Sequence, residues 1–233
     1  PESKDADVDG DGLTDEEEYD LSSDPDIEGR AIPTRKDIFV EVDWMTGHEM
    51  SDAAKWKVGT RFLNNPTGEE IWLHIDDGKM GGGDRIDEVE ELSVFDIEPG
   101  NDNDFYDFKW GNNWDDNGNG ELDPDEETTL NGNNFDPDRF GKFHYCIFGH
   151  NYEEFPDSSG RARFNEDDIF IADGTFSSTL KKVSSTFMHE FGHNLGLHHY
   201  GDLDQCPHAP DHEGRKGCPD YVHREIHYPD PGH

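Results

Sequence analysis

The stretch Phe187–His199 reads FMHEFGHNLGLHH and fits the pattern H-E-x-x-H-x-x-G-x-x-H. On a helix, His189 and His193 lie one turn apart, so both imidazoles project from the same face toward one ion. Gly196 permits a sharp turn after the helix, because glycine tolerates positive φ. Such a turn can bring His199 back as a third nitrogen ligand.

Three imidazole ligands would leave the fourth position of a tetrahedral zinc ion open for water, as in catalytic zinc sites. Glu190 stands beside that position and is the candidate proton acceptor. His198 competes with His199 as the third ligand. The alternative is an ordinary amphipathic helix with surface histidines. In either case a separate apolar stripe can face the core; it consists of Met188, Phe191, Gly192 and Leu195.

The extended pattern is similar to the signature of the metzincin zinc endopeptidases, whose active-site helix ends at the motif glycine. Other segments resemble secreted prokaryotic metalloproteases of that clan: Lys36–Met45, Leu73–Gly78 and Phe143–His150. The resemblance covers most of residues 36–200. It implies peptide hydrolysis at a zinc ion held by His189, His193 and His199, since the family spacing favours His199 over His198.

The chain departs from the metzincin pattern downstream of the motif. Metzincins have a methionine in a tight turn below the zinc, and no methionine follows His199 here. Ile226-His227-Tyr228 resembles the Met-x-Tyr stretch of that turn, with isoleucine filling a similar apolar volume. Tyr228 would then lie near the zinc and stabilise the oxyanion. The alternatives are a turn lost by truncation, or no such turn.

Two acidic segments have the oxygen-ligand spacing of a twelve-residue calcium loop. In the first segment the predicted ligands are five carboxylate side chains and the backbone carbonyl of Leu13. The side chains are those of Asp7, Asp9, Asp11, Asp15 and Glu18. It resembles a single thrombospondin type 3 repeat, and a disordered acidic arm is the alternative. In the second segment the predicted ligands are the backbone carbonyl of Glu121 and five side chains. The side chains are those of Asp115, Asn117, Asn119, Asp123 and Glu126. We interpret it as a loop insertion at about 101–140.

The net charge of −37 limits the partners of the chain. Nucleic-acid binding is excluded, because no basic stripe exists to meet phosphates. Few lysines on so acidic a surface indicate adaptation to high salt, where counterions screen the self-repulsion.

No stretch approaches the ~20 apolar residues needed to span a bilayer. Cys206 and Cys218 flank a short polar loop and could form a disulfide, which an exported protein would retain. Cys146 fits a buried thiol.

The order of strand and helix patterns predicts an α+β fold. We expect a metzincin-like twisted mixed sheet with a backing helix, an active-site helix and an irregular C-terminal subdomain. The predicted strands are Asp37–Trp44, Ile71–Ile75, His144–Phe148 and Ile169–Ala172. The predicted backing helix spans about 52–64, with Ser51 as its cap and with the apolar anchors Ala53, Ala54, Trp56, Val58 and Phe62. By resemblance and by β-augmentation, Asp168–Ala172 is the candidate strand for pairing with extended substrate.

Residues 1–30 are predicted to form the calcium repeat and a linker, and residues 31–233 the catalytic domain with its insertion. The function that follows is a secreted, monomeric, calcium-stabilised zinc endopeptidase that acts on proteins or peptides. Two alternatives are a calcium-dependent extracellular binding module with a vestigial zinc site, and a zinc hydrolase of small esters or amides.

Overall fold

The computed structural model describes residues 6–93, 104–111, 134–152, 158–174 and 179–197. In these ranges the helices are α1 (Asp15–Ser23), α2 (Asp52–Leu63), α3 (Phe105–Trp110) and α4 (Leu180–Asn194), with a 3₁₀ turn at Pro137–Arg139. The strands are β1 (Asp37–Trp44), β2 (Trp72–Asp76), β3 (Glu91–Leu92), β4 (Phe143–Gly149), β5 (Asn151–Tyr152), β6 (Gly160–Ala162) and β7 (Asp168–Ala172).

The main sheet has the strand order β2-β1-β4-β7-β6. Its first four strands are parallel, and β6 pairs antiparallel with β7. Strands β3 and β5 form a separate two-stranded sheet. This mostly parallel sheet with packed helices confirms the α+β prediction and is consistent with a metzincin-like fold. The predicted irregular C-terminal subdomain lies outside the described residues.

Both faces of the main sheet are buried, as parallel sheets require. Along β1, Val40 and Val42 pack in one cluster with the inward side chains of α2 and α4, whereas Phe39 belongs to a second cluster on the opposite face. The N-terminal segment contributes to that second cluster through Leu13, Leu21, Ile27 and Ala31. The calcium-loop region therefore shares the core of the sheet. The domain division at residue 30 stays a prediction.

The backing helix was predicted closely. Ser51 caps α2, its side chain accepting from the Ala54 amide, and Ala54 and Val58 are buried. Trp56, predicted as an apolar anchor, is instead 73% exposed. It lies two residues after Ala54, about 200° around the helix, and so faces away from the sheet. Ala53 is exposed as well, and Phe62 is partly buried.

The predicted substrate-pairing strand was wrong. Strand β7, at Asp168–Ala172, lies between β4 and β6, so its backbone is paired on both sides. The edge strand next to it is β6, at Gly160–Ala162. A local apolar pattern does not reveal strand order, and the short β6 had no pattern strong enough to be predicted.

Charged side chains are buried on the face of the sheet away from α2 and α4. Arg139 is 5% exposed and donates through Nη1 to Glu41 Oε2 at 2.5 Å and Asp76 Oδ2 at 2.7 Å. Burial raises the pKa of Glu41 to about 8, while the charge of Arg139 lowers it. The glycine-rich loop at 78–83 folds around Asp76, whose carboxylate accepts from several of the loop's backbone amides.

Lys109 of α3 forms a second buried ion pair, 2.6 Å from Asp168. Cys146 is a fully buried free thiol, as predicted, and burial raises its pKa. Cys206 and Cys218 lie outside the described residues. Among the helices that the structure describes, none has the length and apolarity to cross a bilayer.

Candidate metal centre and calcium loop

Helix α4 carries the zinc motif and packs on the sheet through its aromatic side chains. Thr179 caps it by accepting from the Lys182 amide. Phe187 and Phe191, four residues apart, are fully buried. The predicted stripe was correct for Phe191 and Gly192 but wrong for Leu195, which is 40% exposed. Leu195 lies just beyond the last helical residue, where the helical spacing no longer applies.

The end of α4 is a Schellman turn built on Gly196, as the motif predicted. Gly196 has φ 79°, in the region that favours glycine. The Leu197 amide donates to the Gly192 carbonyl at 2.8 Å, and the Gly196 amide donates to the His193 carbonyl at 3.0 Å. The chain therefore leaves the helix sharply just after the second histidine of the motif.

His189 and His193 lie together on one half-buried face of α4. Their ring centroids are 4.8 Å apart and the rings are nearly perpendicular, at 82°. His193 Nδ1 lies 2.7 Å from the Leu197 carbonyl oxygen. A carbonyl only accepts, so Nδ1 carries the proton and Nε2 carries the lone pair that a metal ion needs. The turn at Gly196 thus sets the tautomer of His193, and these two residues fit a zinc ion.

Glu190 is buried between α4 and the edge strand β6, and only 6% of it is exposed. Burial raises its pKa to about 8, while the charge of Arg161 lowers it. A Cβ on Gly160 of β6 would lie 2.9 Å from Glu190 Cγ and 2.8 Å from the Phe170 carbonyl oxygen. A glycine is therefore required where Glu190 meets the edge strand. Sequence reasoning did not identify Gly160.

Asn194 fixes the end of α4 to the sheet. Its amide nitrogen donates to the carbonyls of Arg163 at 2.8 Å and Asp168 at 3.1 Å, and its side-chain oxygen lies 3.3 Å from His144 Nδ1. Burial lowers the pKa of His144, which favours the neutral ring. Asn194 occupies a variable position of the motif, so only the packing identifies its role.

Several predicted site residues lie outside the described residues. These are the third-ligand candidates His198 and His199, the oxyanion candidate Tyr228, and the whole second calcium loop from Asp115 to Glu126. Their assignments stay predictions.

The first predicted calcium loop brings its acidic side chains together. One carboxylate oxygen from each of Asp7, Asp9 and Asp11 lies within 4.8 Å of the others. Asp7 accepts from the backbone amides of Gly10 and Gly12, both of which have positive φ. These bonds curl the backbone around the three carboxylates. The loop continues into α1, which begins at Asp15 and carries Glu18 in its first turn.

Two carboxylates of this loop have no hydrogen-bond donor among the residues that the structure describes. Both oxygens of Asp9 and both oxygens of Glu18 are buried and unbonded. Glu18 is 1% exposed, and burial, followed by the charges of Asp11 and Asp9, raises its pKa to about 8. Buried carboxylates at such close range repel one another unless a cation or a proton neutralises them. The donor set fits Ca²⁺, which prefers carboxylate and carbonyl oxygens.

Comparison with known proteins agrees with the motif. Residues 123–206 match the sequence model of the matrixin family, Peptidase_M10. The match covers about a third of the chain and includes β4, β6, β7, α4 and the three motif histidines. No curated protein and no solved structure matches the chain. The matrixin match supports a zinc-dependent metallopeptidase of the metzincin type.

Proposed function

We propose that this chain is a secreted zinc endopeptidase in which Glu190 takes the proton from the attacking water and passes it to the leaving amine. The observation that carries the proposal is the arrangement of α4. His189 and His193 share one face, the Leu197 carbonyl fixes the lone pair of His193 on Nε2, and Glu190 lies between the helix and the edge of the sheet. His199, just past the turn, completes the ligand set.

The zinc ion, when bound, polarises the scissile carbonyl and lowers the pKa of its water. The protein's part is to hold a carboxylate beside that water. Burial raises the pKa of Glu190 to about 8, so its carboxylate accepts a proton more readily than an exposed carboxylate does. In this proposal Tyr228 stabilises the oxyanion from the C-terminal segment.

The edge strand β6 is the proposed site for pairing with an extended peptide. Its inner side is bonded to β7 and its outer side has no strand partner among the described residues. Gly160 keeps the gap between β6 and Glu190 small. A peptide that pairs with this edge would run alongside Glu190. Its main-chain hydrogen bonds to β6 would supply binding that does not depend on the sequence of the peptide.

Calcium and salt adaptation belong to the same proposal. The buried carboxylates of Asp9 and Glu18, which have no hydrogen-bond donor in the described ranges, support a structural Ca²⁺ at the first loop. The net charge of −37 supports function in concentrated salt. We further propose that the enzyme is secreted and acts as a monomer.

Cleavage of an unstructured protein, compared with small esters and amides, tests the proposal. We expect the protein substrate to be cut, a zinc chelator to stop cleavage, and added zinc to restore it while calcium is kept saturating. Hydrolysis of small substrates alone would favour a non-proteolytic hydrolase. No hydrolysis of either class by zinc-loaded protein would favour a binding module with a vestigial site.

A further inference from the structure

A second cluster of metal-binding side chains lies at the other end of the sheet from the end of α4. His48 follows β1, His150 directly follows β4, and Asp173 directly follows β7. Carboxyl ends of parallel strands meet at one edge of a sheet, so these three residues come together there. Asn194 of α4 instead bonds to Asp168, the first residue of β7. Asp168 and Asp173 are about 16 Å apart along an extended strand.

Three ligand atoms of this cluster form a nearly regular triangle. His48 Nε2 is 3.2 Å from His150 Nδ1, and Glu88 Oε1 is 3.6 Å from the first nitrogen and 3.8 Å from the second. The point equidistant from all three lies about 2.1 Å from each, within the ~2.0–2.2 Å range of Zn–N and Zn–O bonds. The two distances to Glu88 are too long for hydrogen bonds. All three distances fit the ligands of one ion, and the shortest also fits a hydrogen bond between the two rings.

Asp173 orients the first of these histidines. His48 Nδ1 is hydrogen-bonded to Asp173 Oδ1, which accepts only, so the proton lies on Nδ1 and the lone pair on Nε2. That is the arrangement in which a carboxylate holds a metal-ligating imidazole. The side chains of His48 and Asp173 are only 10% and 12% exposed, so this pair is held by its surroundings.

The backbone holds the other members in place. The Gly174 amide donates to the His150 carbonyl at 2.9 Å, and a Cβ on Gly174 would lie 2.7 Å from His150 Cγ. Gly174 therefore leaves room for the His150 ring. The segment that carries Glu88 is tied to the end of β1, because the Ile86 amide donates to the Trp44 carbonyl at 3.0 Å.

Charge and donor type indicate the ion. Among the described residues, neither Glu88 nor Asp173 forms an ion pair with a lysine or an arginine. Two imidazoles and one carboxylate are the ligands of zinc and its neighbours in the first transition row. Calcium is a poor fit, since it takes six to eight oxygen ligands.

We propose that His48, His150 and Glu88 bind a second divalent transition ion of the zinc type, with Asp173 as the positioning partner of His48. Glu88 and His150 are partly exposed, with side chains 42% and 37% accessible, so the fourth position faces water. The ion links the segments that follow β1 and β4 to the loop that carries Glu88. The proposal does not depend on peptidase activity.

Zinc counting on the full-length chain tests the site. The double variant His189→Ala/His193→Ala removes the ligands on α4, and we expect it to retain one equivalent of zinc. Adding His48→Ala and His150→Ala to that variant should remove it. His74→Gln is the matched control, because His74 bonds to Asp37 and lies outside both clusters. Zero zinc in the α4 double variant, or one equivalent persisting after loss of His48 and His150, would overturn the proposal.

Two milder variants keep the test decisive if the histidine variants fail to fold. Glu88→Gln changes a partly exposed ligand and should weaken zinc binding at least tenfold. Asp173→Asn should weaken it 10–100-fold, as expected for the carboxylate partner of a ligating histidine, with the far-UV circular dichroism unchanged. Unchanged zinc affinity in both variants would show that the cluster is a hydrogen-bonded Asp–His–His chain without an ion.

Discussion

The tautomer of His193 is set by one backbone atom, the carbonyl oxygen of Leu197, at 2.7 Å from Nδ1. That atom is in position only because Gly196 turns the chain after α4. The same turn directs the chain toward His198 and His199, which follow within two residues. At the scale of single residues, the proposed zinc site thus depends on the glycine of the motif as much as on its histidines.

The choice between His198 and His199 is a direct prediction of the motif spacing. We expect His199→Ala to lower zinc content by one equivalent per chain, because a three-histidine site that loses a ligand binds its ion more weakly. His198→Ala is the matched control and should leave zinc content unchanged. Metal analysis after dialysis against a zinc buffer measures both. Loss of zinc in the His198 variant alone would reject the metzincin spacing.

We predict that Glu18 links calcium binding at the first loop to pH. Its pKa in the fold, about 8, lies above its ordinary value of 4.5, so between these values the folded chain holds a proton that the unfolded chain has lost. Holding this proton contributes to the free energy of unfolding. The contribution is complete below pH 4.5 and is lost as the pH rises through 8. Calcium must displace the proton, so calcium affinity should increase with pH across the same window.

Calorimetric titration of calcium at several pH values checks this coupling. We expect proton release on binding, and stabilisation by about 2.7 kcal/mol at a hundredfold excess over the dissociation constant. Glu18→Gln should weaken binding and reduce its pH dependence. Asp20→Asn, on an exposed position of the same helix, is the control. A melting temperature that is the same in calcium and in a calcium chelator would contradict the loop assignment.

At the scale of elements, α4 is pressed onto the edge strand β6 at Gly160. A Cβ there would meet the Phe170 carbonyl oxygen at 2.8 Å and Glu190 Cγ at 2.9 Å. We expect Gly160→Ala to lower the free energy of unfolding by about 1–3 kcal/mol, the usual cost of overpacking. Peptidase activity should fall as well, because Glu190 and the proposed substrate edge must move apart.

Gly59→Ala is the matched control for this substitution. Gly59 lies inside α2, where a Cβ would have only the Leu73 carbonyl oxygen nearby, at 4.0 Å. Alanine should therefore stabilise the helix by about 0.5–1 kcal/mol. Urea unfolding should show a lower free energy of unfolding for Gly160→Ala and a higher one for Gly59→Ala. A Gly160→Ala protein as stable as the wild type would mean that α4 and β6 are not in close contact.

Local sequence patterns predicted the elements well and their arrangement poorly. The alternation in Asp37–Trp44 gave β1 with its observed bounds, and Ser51 gave the start of α2. The position of β6 at the edge is a property of strand order, which no local pattern encodes. The cluster of His48 and His150 was missed because its members are 102 positions apart and meet only through the sheet.

The charge of the whole molecule predicts its response to salt. With a net charge of −37, self-repulsion destabilises the compact state, and counterions screen it. We expect the unfolding midpoint to rise from moderate to multimolar potassium chloride with calcium saturating. A non-ionic osmolyte at equal osmolality is the control, since it acts by exclusion without screening charge. Equal midpoints at both salt concentrations would contradict the halophilic interpretation.

The sheet separates the proposed functions of the molecule. Its helix-covered face carries the zinc motif on α4, and the calcium loop packs through Leu13 into the core of the opposite face. The His48–His150 cluster lies at the carboxyl ends of the parallel strands. We therefore expect that each proposed site can be removed by substitution while the others remain, so that the tests of the three proposed ions are independent.

The most direct test of the central claim is the cleavage rate of an unstructured protein by zinc-loaded Glu190→Gln, with zinc content measured on the same sample. We predict unchanged zinc content and a rate 10²–10⁴-fold below that of the wild type, because the base is lost and the ligands are kept. A Glu190→Gln protein that binds zinc normally and cleaves at the wild-type rate would contradict the account.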